Sequence, residues 1–407
     1  MCRSSLLFSL ISILFLALLA FLGPSCRPDP LADLDRVLAV SWQSYRQTFI
    51  SPEGRVVIPD QDRGTISEGQ AYAMLRAVWA GDEATFGLVH AWTQRHLSRA
   101  PGAGDHLLSW SWGRRPDGSW GLKDANSASD GDLDYALALV LAARRGWRPP
   151  PDLPDYLEEA RQVMGAILEK ETVTLPGGEV LLTPGNWHEA APLYLANPSY
   201  FSPAAYRLFG QIQPDPRWVK LHQSTYRLLA ELTRGLGGQA GVGLFPDWCR
   251  VNEAGEVSPA PGRDTCFGWE AVRLPWRLAL DRLWFGETQA AHLLGQKFLP
   301  FFKREWQAKG RLVAIYNYDG TPGADYENPV LYAGVLAGAL AAGDQDFARE
   351  MARNILSFYH EKDGRAYFMD PDKYYDNNWA WLGLALYAGW VKDFGQGAGA
   401  GARAWND

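Results

Sequence analysis

The stretch TISEGQAYAMLRAVW, residues 65–79, decides how this chain folds. Ser67 followed three residues later by Gln70 is a capping-box pattern, which predicts that a helix starts here. Apolar residues then recur at helical spacing as far as Trp79. Glu68 stands at the start of this helix, which is otherwise suited to burial. It either complements the helix dipole or has a chemical role at the helix end.

Helical spacing of apolar residues recurs along most of the chain. The stretches that show it are 32–49, 67–80, 84–98, 131–145, 154–170, 202–211, 215–235, 271–285, 287–306, 328–342, 345–359 and 378–393. Strand-like segments are short, as in RVVIP (55–59) and TVTLPGGEVLL (172–182). The pattern predicts one all-α domain over residues 27–394 and a flexible tail over 395–407. Twelve helices are also the number needed for a toroid of six inner and six outer helices.

The composition excludes some classes of partner. A net charge of −7 argues against a nucleic-acid partner, because phosphate binding needs clustered Lys and Arg. Eighteen Trp and seventeen Tyr leave aromatic side chains beyond those that fill a core, and such flat surfaces suit sugar rings. No Cys/His cluster or HExxH motif is present, so the sequence predicts neither a metal nor a cofactor.

The first 26 residues, MCRSSLLFSLISILFLALLAFLGPSC, resemble an export signal, with one early Arg before a long apolar run. We predict that residues 1–26 are a signal peptide, a lipid anchor attached at Cys26 or a retained membrane anchor. Each alternative places the folded part outside the cytoplasm, with contact to the membrane only through this segment. In that compartment Cys249 and Cys266 are expected to form a disulfide, and two separate buried thiols are the alternative.

A second helix start is also acidic. The stretch NSASDGDLDY (126–135) offers two serines as caps and carries Asp130, Asp132 and Asp134. It is not a calcium loop, because the sixth and twelfth loop positions hold Tyr and Leu instead of Gly and Glu. Pairs of carboxylates cleave glycosidic bonds, one protonating the leaving oxygen and the other activating water or attacking the sugar. Glu68 suits the first role only if burial and a nearby Asp130 raise its pKa against the helix dipole.

The two acidic stretches, TISEGQAYAM and NSASDGDLDYALAL, resemble the paired signatures of glycoside hydrolase family 8, the bacterial cellulases. FISPEGRVVIP, SWSWG, NPSYFSP, FPDWCR and WEAVRLPWRLALDRLWFG also have counterparts in the same order, over most of the chain. The chain looks most similar to secreted endoglucanases, including those encoded beside bacterial cellulose synthases. The resemblance implies an (α/α)6 barrel that cuts β-1,4-glucan internally with inversion of configuration.

The same resemblance assigns roles to residues. Glu68 matches the proton donor of the family. Asp130 matches the first acid of the Asp-Gly-Asp signature, for which we favour holding the reacting sugar in a distorted ring. Asp132 is then a supporting or structural acid on the substrate-binding side of the site, and Arg273 is predicted to be a substrate-binding residue.

The general base departs from the family pattern. Relatives read Asp-Ala-x-Arg, whereas this chain reads Glu270-Ala-Val-Arg273. Glu270 keeps the carboxylate but adds a methylene, so it reaches roughly 1.5 Å further. We predict that Glu270 is the base. The alternatives are that Glu270 only pairs with Arg273, or that Asp264 is the base.

Aromatic residues in the matched motifs are predicted to contact sugar, although each could instead fill the core. They are Trp110, Trp112, Trp120, Tyr200 and Trp248, with Tyr374 and Tyr375 as weaker candidates.

The leading hypothesis is an exported, monomeric endo-β-1,4-glucanase whose partner is β-glucan and, in a cell that makes cellulose, a cellulose synthase complex. The same fold acting on xylan, chitosan or mixed-linkage glucan is one alternative. A glucan-binding protein that has lost catalysis and a polysaccharide lyase are two others.

Overall fold

Helices of two kinds alternate along the chain in the computed structural model, which describes residues 29–187 and 191–395. The predicted export segment and all but the first residue of the predicted tail lie outside these ranges. The inner helices are α2 (Ser67–Ala80), α4 (Ser129–Arg144), α6 (Pro203–Ile212), α8 (Leu274–Phe285), α11 (Pro329–Ala342) and α13 (Tyr374–Tyr387). The outer helices are α1 (Leu34–Phe49), α3 (Glu83–His96), α5 (Tyr156–Lys170), α7 (Pro216–Leu232), α9 (Thr288–Leu293) continued by α10 (Leu299–Lys309), and α12 (Gln345–Ser357).

Burial separates the two rings. Helix α11 buries thirteen of its fourteen residues, as expected of a helix that is apolar all round. Helix α12, the next along the chain, buries five of thirteen along one stripe. The rings close where the first helix packs on the last, and the indole of Trp381 donates a hydrogen bond to the carbonyl of Leu38 at 2.9 Å. The predicted (α/α)6 barrel is confirmed.

Short antiparallel strands lie in the loops between the helices. One sheet has the order β1 (Thr65–Ile66), β2 (Ser111–Arg114), β3 (Trp120–Asp124), and another joins β6 (Leu193–Ala196), β9 (Cys249–Asn252) and β10 (Val257–Pro259). Three hairpins are β4 (Thr172–Thr174) with β5 (Val180–Leu182), β7 (Gly235–Leu236) with β8 (Gln239–Ala240), and β11 (Tyr359–Lys362) with β12 (Arg365–Phe368). The strand-like segment at 172–182 is therefore a hairpin, whereas 55–59 makes only isolated bridges. A single helical turn lies at Ala100–Ala103.

The side-chain cap predicted for α2 is absent from the structure. Helix α2 begins at Ser67 as predicted, but no side chain caps it. The Gln70 amide oxygen instead accepts the backbone N–H of Val56 at 2.6 Å, and its nitrogen donates to Thr93 at 2.8 Å. The capping-box prediction is wrong because tertiary contacts use the Gln70 side chain.

The cap predicted for α4 and the predicted bounds of α13 also differ from the structure. No side chain caps α4 either, since the Ser129 hydroxyl donates to the carbonyl of Thr183 at 2.7 Å. Helix α13 starts four residues before the predicted 378 and ends before Gly389, whose positive φ of 73° stops it. Within the part of the chain that the structure describes, no helix has both the length and the apolar character needed to cross a bilayer.

Candidate active site

Five of the six inner helices begin at one cleft of about 650 Å³, and Tyr200, shortly before the remaining helix α6, also lines it. It is lined by Ile58, Asp60, Gln61, Ile66, Ser67, Glu68, Trp110, Ala128, Asp130, Tyr200, Trp269, Glu270, Arg273, Tyr326, Asn328, Met369, Asp370, Lys373, Tyr374, Tyr375 and Asp376. Because helix N-termini carry partial positive charge, this end of the barrel favours acidic groups. The two acidic helix starts found in the sequence therefore lie at the same end of the barrel.

Arg273 joins the three acids proposed for catalysis. Its Nη1 lies 2.5 Å from Glu68 Oε2 and 3.0 Å from Asp130 Oδ2. Its Nη2 pairs with Glu270 and donates to the Ser199 hydroxyl at 2.9 Å. The guanidinium is 2% exposed, so it compensates three crowded carboxylates with little help from water.

Glu68 has the properties of a proton donor. Burial, above all, raises the pKa of Glu68 to about 7. Arg273 opposes this shift, while the charges of Asp130 and Glu270 add to it. The Tyr374 hydroxyl donates to Glu68 Oε1 at 2.9 Å and orients the group. Burial thus outweighs the opposing charge of Arg273, as the donor role requires.

The three aspartates at the start of α4 have different surroundings. Asp130 faces the cleft, and burial raises its pKa although Arg273 opposes the shift. Asp134 is held by Arg277 through bonds of 2.6 and 2.8 Å. Asp132 does not line the cleft but accepts the backbone N–H of Leu108 at 2.8 Å. Asp132 is therefore a supporting acid.

A buried carboxyl partner of Asp132 was not identified from the sequence. Glu171 is fully buried beside it and accepts the Ser127 hydroxyl at 2.6 Å. Burial and the neighbouring Glu171 charge raise the pKa of Asp132 well above its usual range, and burial also raises the pKa of Glu171. Since two carboxylates this deeply buried cannot both ionise, the pair holds a proton near neutral pH.

Glu270 lies at the turn that precedes α8 and faces the cleft. Besides Arg273, its carboxylate accepts the Asn197 amide at 2.9 Å. The alternative base, Asp264, is exposed and does not line the cleft. Of the two candidates, only Glu270 is placed to act on a ligand there.

Asp247 is a further residue that the sequence analysis missed. Its Oδ1 accepts the backbone N–H groups of Gly268 and Ala271 at 3.0 and 2.7 Å, on either side of Glu270. Burial raises the pKa of Asp247 to about 6. A Cβ on Gly268 would lie 2.7 Å from Asp247 Oδ2, so glycine is needed for this close approach. Asp247 and Asn197 stood in the quoted motifs FPDWCR and NPSYFSP, which were the available signal.

The structure places some of the predicted sugar-binding aromatic residues at the cleft and others away from it. Trp110 and Tyr200 line the cleft, and so do Tyr374 and Tyr375. Trp112, Trp120 and Trp248 do not line this cleft, and their contact with sugar stays a prediction.

Local structure explains where these three indoles lie. A β-bulge between Ser111 and Trp112 breaks the alternation of side chains after Trp110. Trp112 stacks on Trp120 at 5.3 Å, with the guanidinium of Arg55 over both rings. Trp248 packs edge-on to Tyr200, with ring centroids 6.0 Å apart. Trp269, Tyr326 and Met369 line the cleft instead. Trp269 begins the quoted motif WEAVRLPWRLALDRLWFG, whereas no motif pointed to Tyr326 or Met369.

The disulfide prediction is wrong in this structure, where Cys249 and Cys266 are free thiols. Cys249 lies opposite Pro259 and Ala196 in its sheet. The backbone of Cys266 is opposite Asp247 instead, and its sulfur lies 3.5 Å from Asp247 Oδ2. Cys266 thus lies opposite a residue two positions before Cys249, and the two cysteines are not opposite each other.

Potential metal ligands meet at one place in the described ranges, at a distance from the cleft. His222, Asp281 and Glu287 offer atoms within 4.8 Å of one another. The Arg207 guanidinium pairs with both carboxylates, at 2.9 Å for Asp281. It supplies the positive charge that this group needs, so we assign no metal to it.

Comparison with known proteins identifies relatives of the whole domain. The family model described as "Glycosyl hydrolases family 8" matches residues 30–377. Endoglucanase A of Acetivibrio thermocellus is 28% identical over 374 residues, which cover 90% of this chain and 72% of that protein. The "Probable endoglucanase" of Novacetimonas hansenii is 33% identical over 314 residues, or 75% of this chain and 82% of that protein. The structure of "endo-beta-1,4-glucanase CMCax from Acetobacter xylinum" aligns with a TM-score of 0.66 and 26% identity, over 88% of this chain and 99% of that chain.

Proposed function

The chain belongs to glycosyl hydrolase family 8, and we propose that it is an endo-β-1,4-glucanase that hydrolyses internal bonds of cellulose-like glucan with inversion. The observation that carries the proposal is the meeting of Glu68, Asp130 and Glu270 on the Arg273 guanidinium, in a cleft with exposed aromatic side chains. The endoglucanase names of the relatives support the choice of substrate.

In this mechanism Glu68 protonates the leaving glycosidic oxygen. Because its pKa is about 7, a large fraction of the enzyme carries the proton at neutral pH. The Tyr374 hydroxyl keeps the carboxyl oriented before and after the proton leaves. The developing carboxylate is then stabilised by Arg273, 2.5 Å away.

Glu270 activates the water that attacks the opposite face of the sugar. Its pairing with Arg273 and its hydrogen bond from the Asn197 amide hold this carboxyl group in place at the cleft. Inverting enzymes separate their two carboxyl groups by about 6.5–9.5 Å to admit this water. Asp130, also on Arg273, is placed to accept a hydroxyl of the reacting sugar and hold its ring distorted.

The test is release of reducing sugar from carboxymethylcellulose, xylan and chitosan in parallel, with NMR of the first anomer formed. We expect hydrolysis of the cellulose derivative, an α-anomeric product and a loss of at least about 100-fold in Glu68→Gln. The wild-type protein binding glucan without cleaving it would instead indicate a binding protein. A β-anomeric product would exclude inversion.

Chitosan is the second candidate substrate, favoured by one observation. The cleft lining has two basic side chains, Arg273 and Lys373, and six acidic ones, namely Asp60, Glu68, Asp130, Glu270, Asp370 and Asp376. Such a cleft attracts a cationic sugar polymer, so faster cleavage of chitosan than of the cellulose derivative would select it.

We further propose that the enzyme acts outside the cytoplasm as a monomer, on glucan in the envelope or as it leaves a cellulose synthase. The apolar segment before Cys26 supports export. Fractionation of cells that express the tagged full chain tests this, and recovery of active enzyme in the cytoplasm would contradict it.

A further inference from the structure

The backbone at Met369 is strained and faces the cleft. Its φ is +63°, in the left-handed region that side chains other than Gly, Asn and Asp rarely adopt. The N–H of Asp370 also bonds to the carbonyl of Phe368 at 2.7 Å, across Met369. A turn closed over three residues with a positive φ at its centre is the rare, strained form of the γ-turn.

Strain of this kind persists where the surrounding structure holds it, and it concentrates at functional sites. Here the N–H of Met369 bonds to the carbonyl of Phe358 at 2.8 Å, which fixes the turn to the residue between α12 and β11. The amide of Asn328 lies 3.6 Å from the Met369 sulfur and donates to Asp376 at 3.1 Å. Asn328 is 3% exposed and its oxygen accepts the N–H of Val330, so the group that orients the thioether is itself fixed.

The side chain held in this way is apolar and open to solvent. Met369 is 39% exposed, beside Trp269 and Tyr326 on the lining of the cleft. Four of the large hydrophobic side chains that are exposed in the described residues line the cleft, namely Trp110, Trp269, Tyr326 and Met369. A polarizable thioether adapts to the uneven C–H face of a sugar ring better than a branched side chain.

We propose that Met369 is a substrate-binding residue, whose strained turn presents its thioether to the apolar face of a sugar unit in the cleft. The inference rests on the proposed glucanase function and adds a contact that no motif supplies. It also makes an unusual prediction. Glycine at 369 relieves the strain but removes the contact, so stability and affinity should move in opposite directions.

The experiment measures binding of cellohexaose by calorimetry in a Glu68→Gln background, which prevents turnover, with and without Met369→Gly. Because 39% of the Met369 surface is free for a ligand to cover, we expect binding about fivefold weaker, or about 1 kcal/mol. The melting temperature should stay level or rise. Met369→Leu, which keeps the apolar bulk, should bind within about twofold of the parent.

A matched control is Asp363→Gly, at another positive φ of 53°, in the exposed turn between β11 and β12. It should change neither affinity nor folding. If Met369→Gly lowers expression, Met369→Asn tolerates the left-handed backbone and should show the same loss of affinity. Unchanged affinity in the glycine variant, or a lower melting temperature with full affinity, would overturn the role of Met369. Failure of the Glu68→Gln parent to bind cellohexaose would instead count against the glucanase proposal.

Discussion

Glu68→Gln should make the protein more stable, and increasingly so as pH rises. In the folded protein the pKa of Glu68 is about 7, against an ordinary value of 4.5. The folded state therefore binds a proton that the unfolded chain releases, so the stability of the wild-type protein falls between pH 4.5 and 7. At 1.36 kcal/mol per tenfold change, the loss from Glu68 alone is about 3 kcal/mol. Gln is a neutral mimic of the protonated acid, so the Glu68→Gln variant does not lose this stability as pH rises.

The assay is urea unfolding of both proteins at pH 4.5, 6 and 8. The two should differ little at pH 4.5, and Glu68→Gln should be more stable by about 3 kcal/mol at pH 8. Glu253→Gln, at an exposed position away from the cleft, is the control, and its difference in stability from the wild-type protein should not change with pH. A difference that does not change with pH would refute the claim that burial holds the proton on Glu68. A difference that shrinks as pH rises would refute the sign.

Four other outcomes are expected. On the alkaline side, kcat/KM should fall as pH rises through about 7, because the donor Glu68 loses its proton there, and a flat profile to pH 9 would contradict this. Arg273→Leu removes the buried cation that three acidic side chains share, so we expect a loss of about 3–5 kcal/mol at pH 8 that is partly recovered at pH 5, measured by urea unfolding. Asp247→Asn keeps an acceptor for the N–H groups beside the base and should retain most of kcat. Asp247→Leu removes the acceptor and should lower kcat about tenfold or more with little change in KM. Equal effects of the two substitutions would count against a positioning role for Asp247. Trp110→Ala should raise KM for soluble glucan several-fold and Trp120→Ala should not, which steady-state kinetics on both variants will check.

Patterns confined to one element were predictable from the sequence. Helix α2 begins and ends at the predicted residues because its apolar spacing is continuous from Tyr72 to Trp79. The acids at the starts of α2 and α4 were visible for the same reason. The family resemblance added Glu270 and Arg273, which stand in a turn with no periodic pattern to identify them.

Contacts between distant segments were not predictable in this way. The capping prediction for Ser67 and Gln70 failed because Thr93 and Val56, from other parts of the chain, use the Gln70 amide. Trp112 does not line the cleft with Trp110 because a bulge separates the two, and a bulge depends on the partner strand. The disulfide failed because strand register, not spacing in the sequence, decides which residues face each other.

The sequence by itself determined where the helices lie and that acids stand at two of their starts, because the spacing that makes one face apolar is local. Only the tertiary structure decided what those acids do. It brought Glu68 within 2.5 Å of Arg273, 205 positions away, and removed Arg273 and most of the Glu68 side chain from water. The pKa of an acid depends on the charges and the water around it, and folding supplies both from segments far apart in the chain.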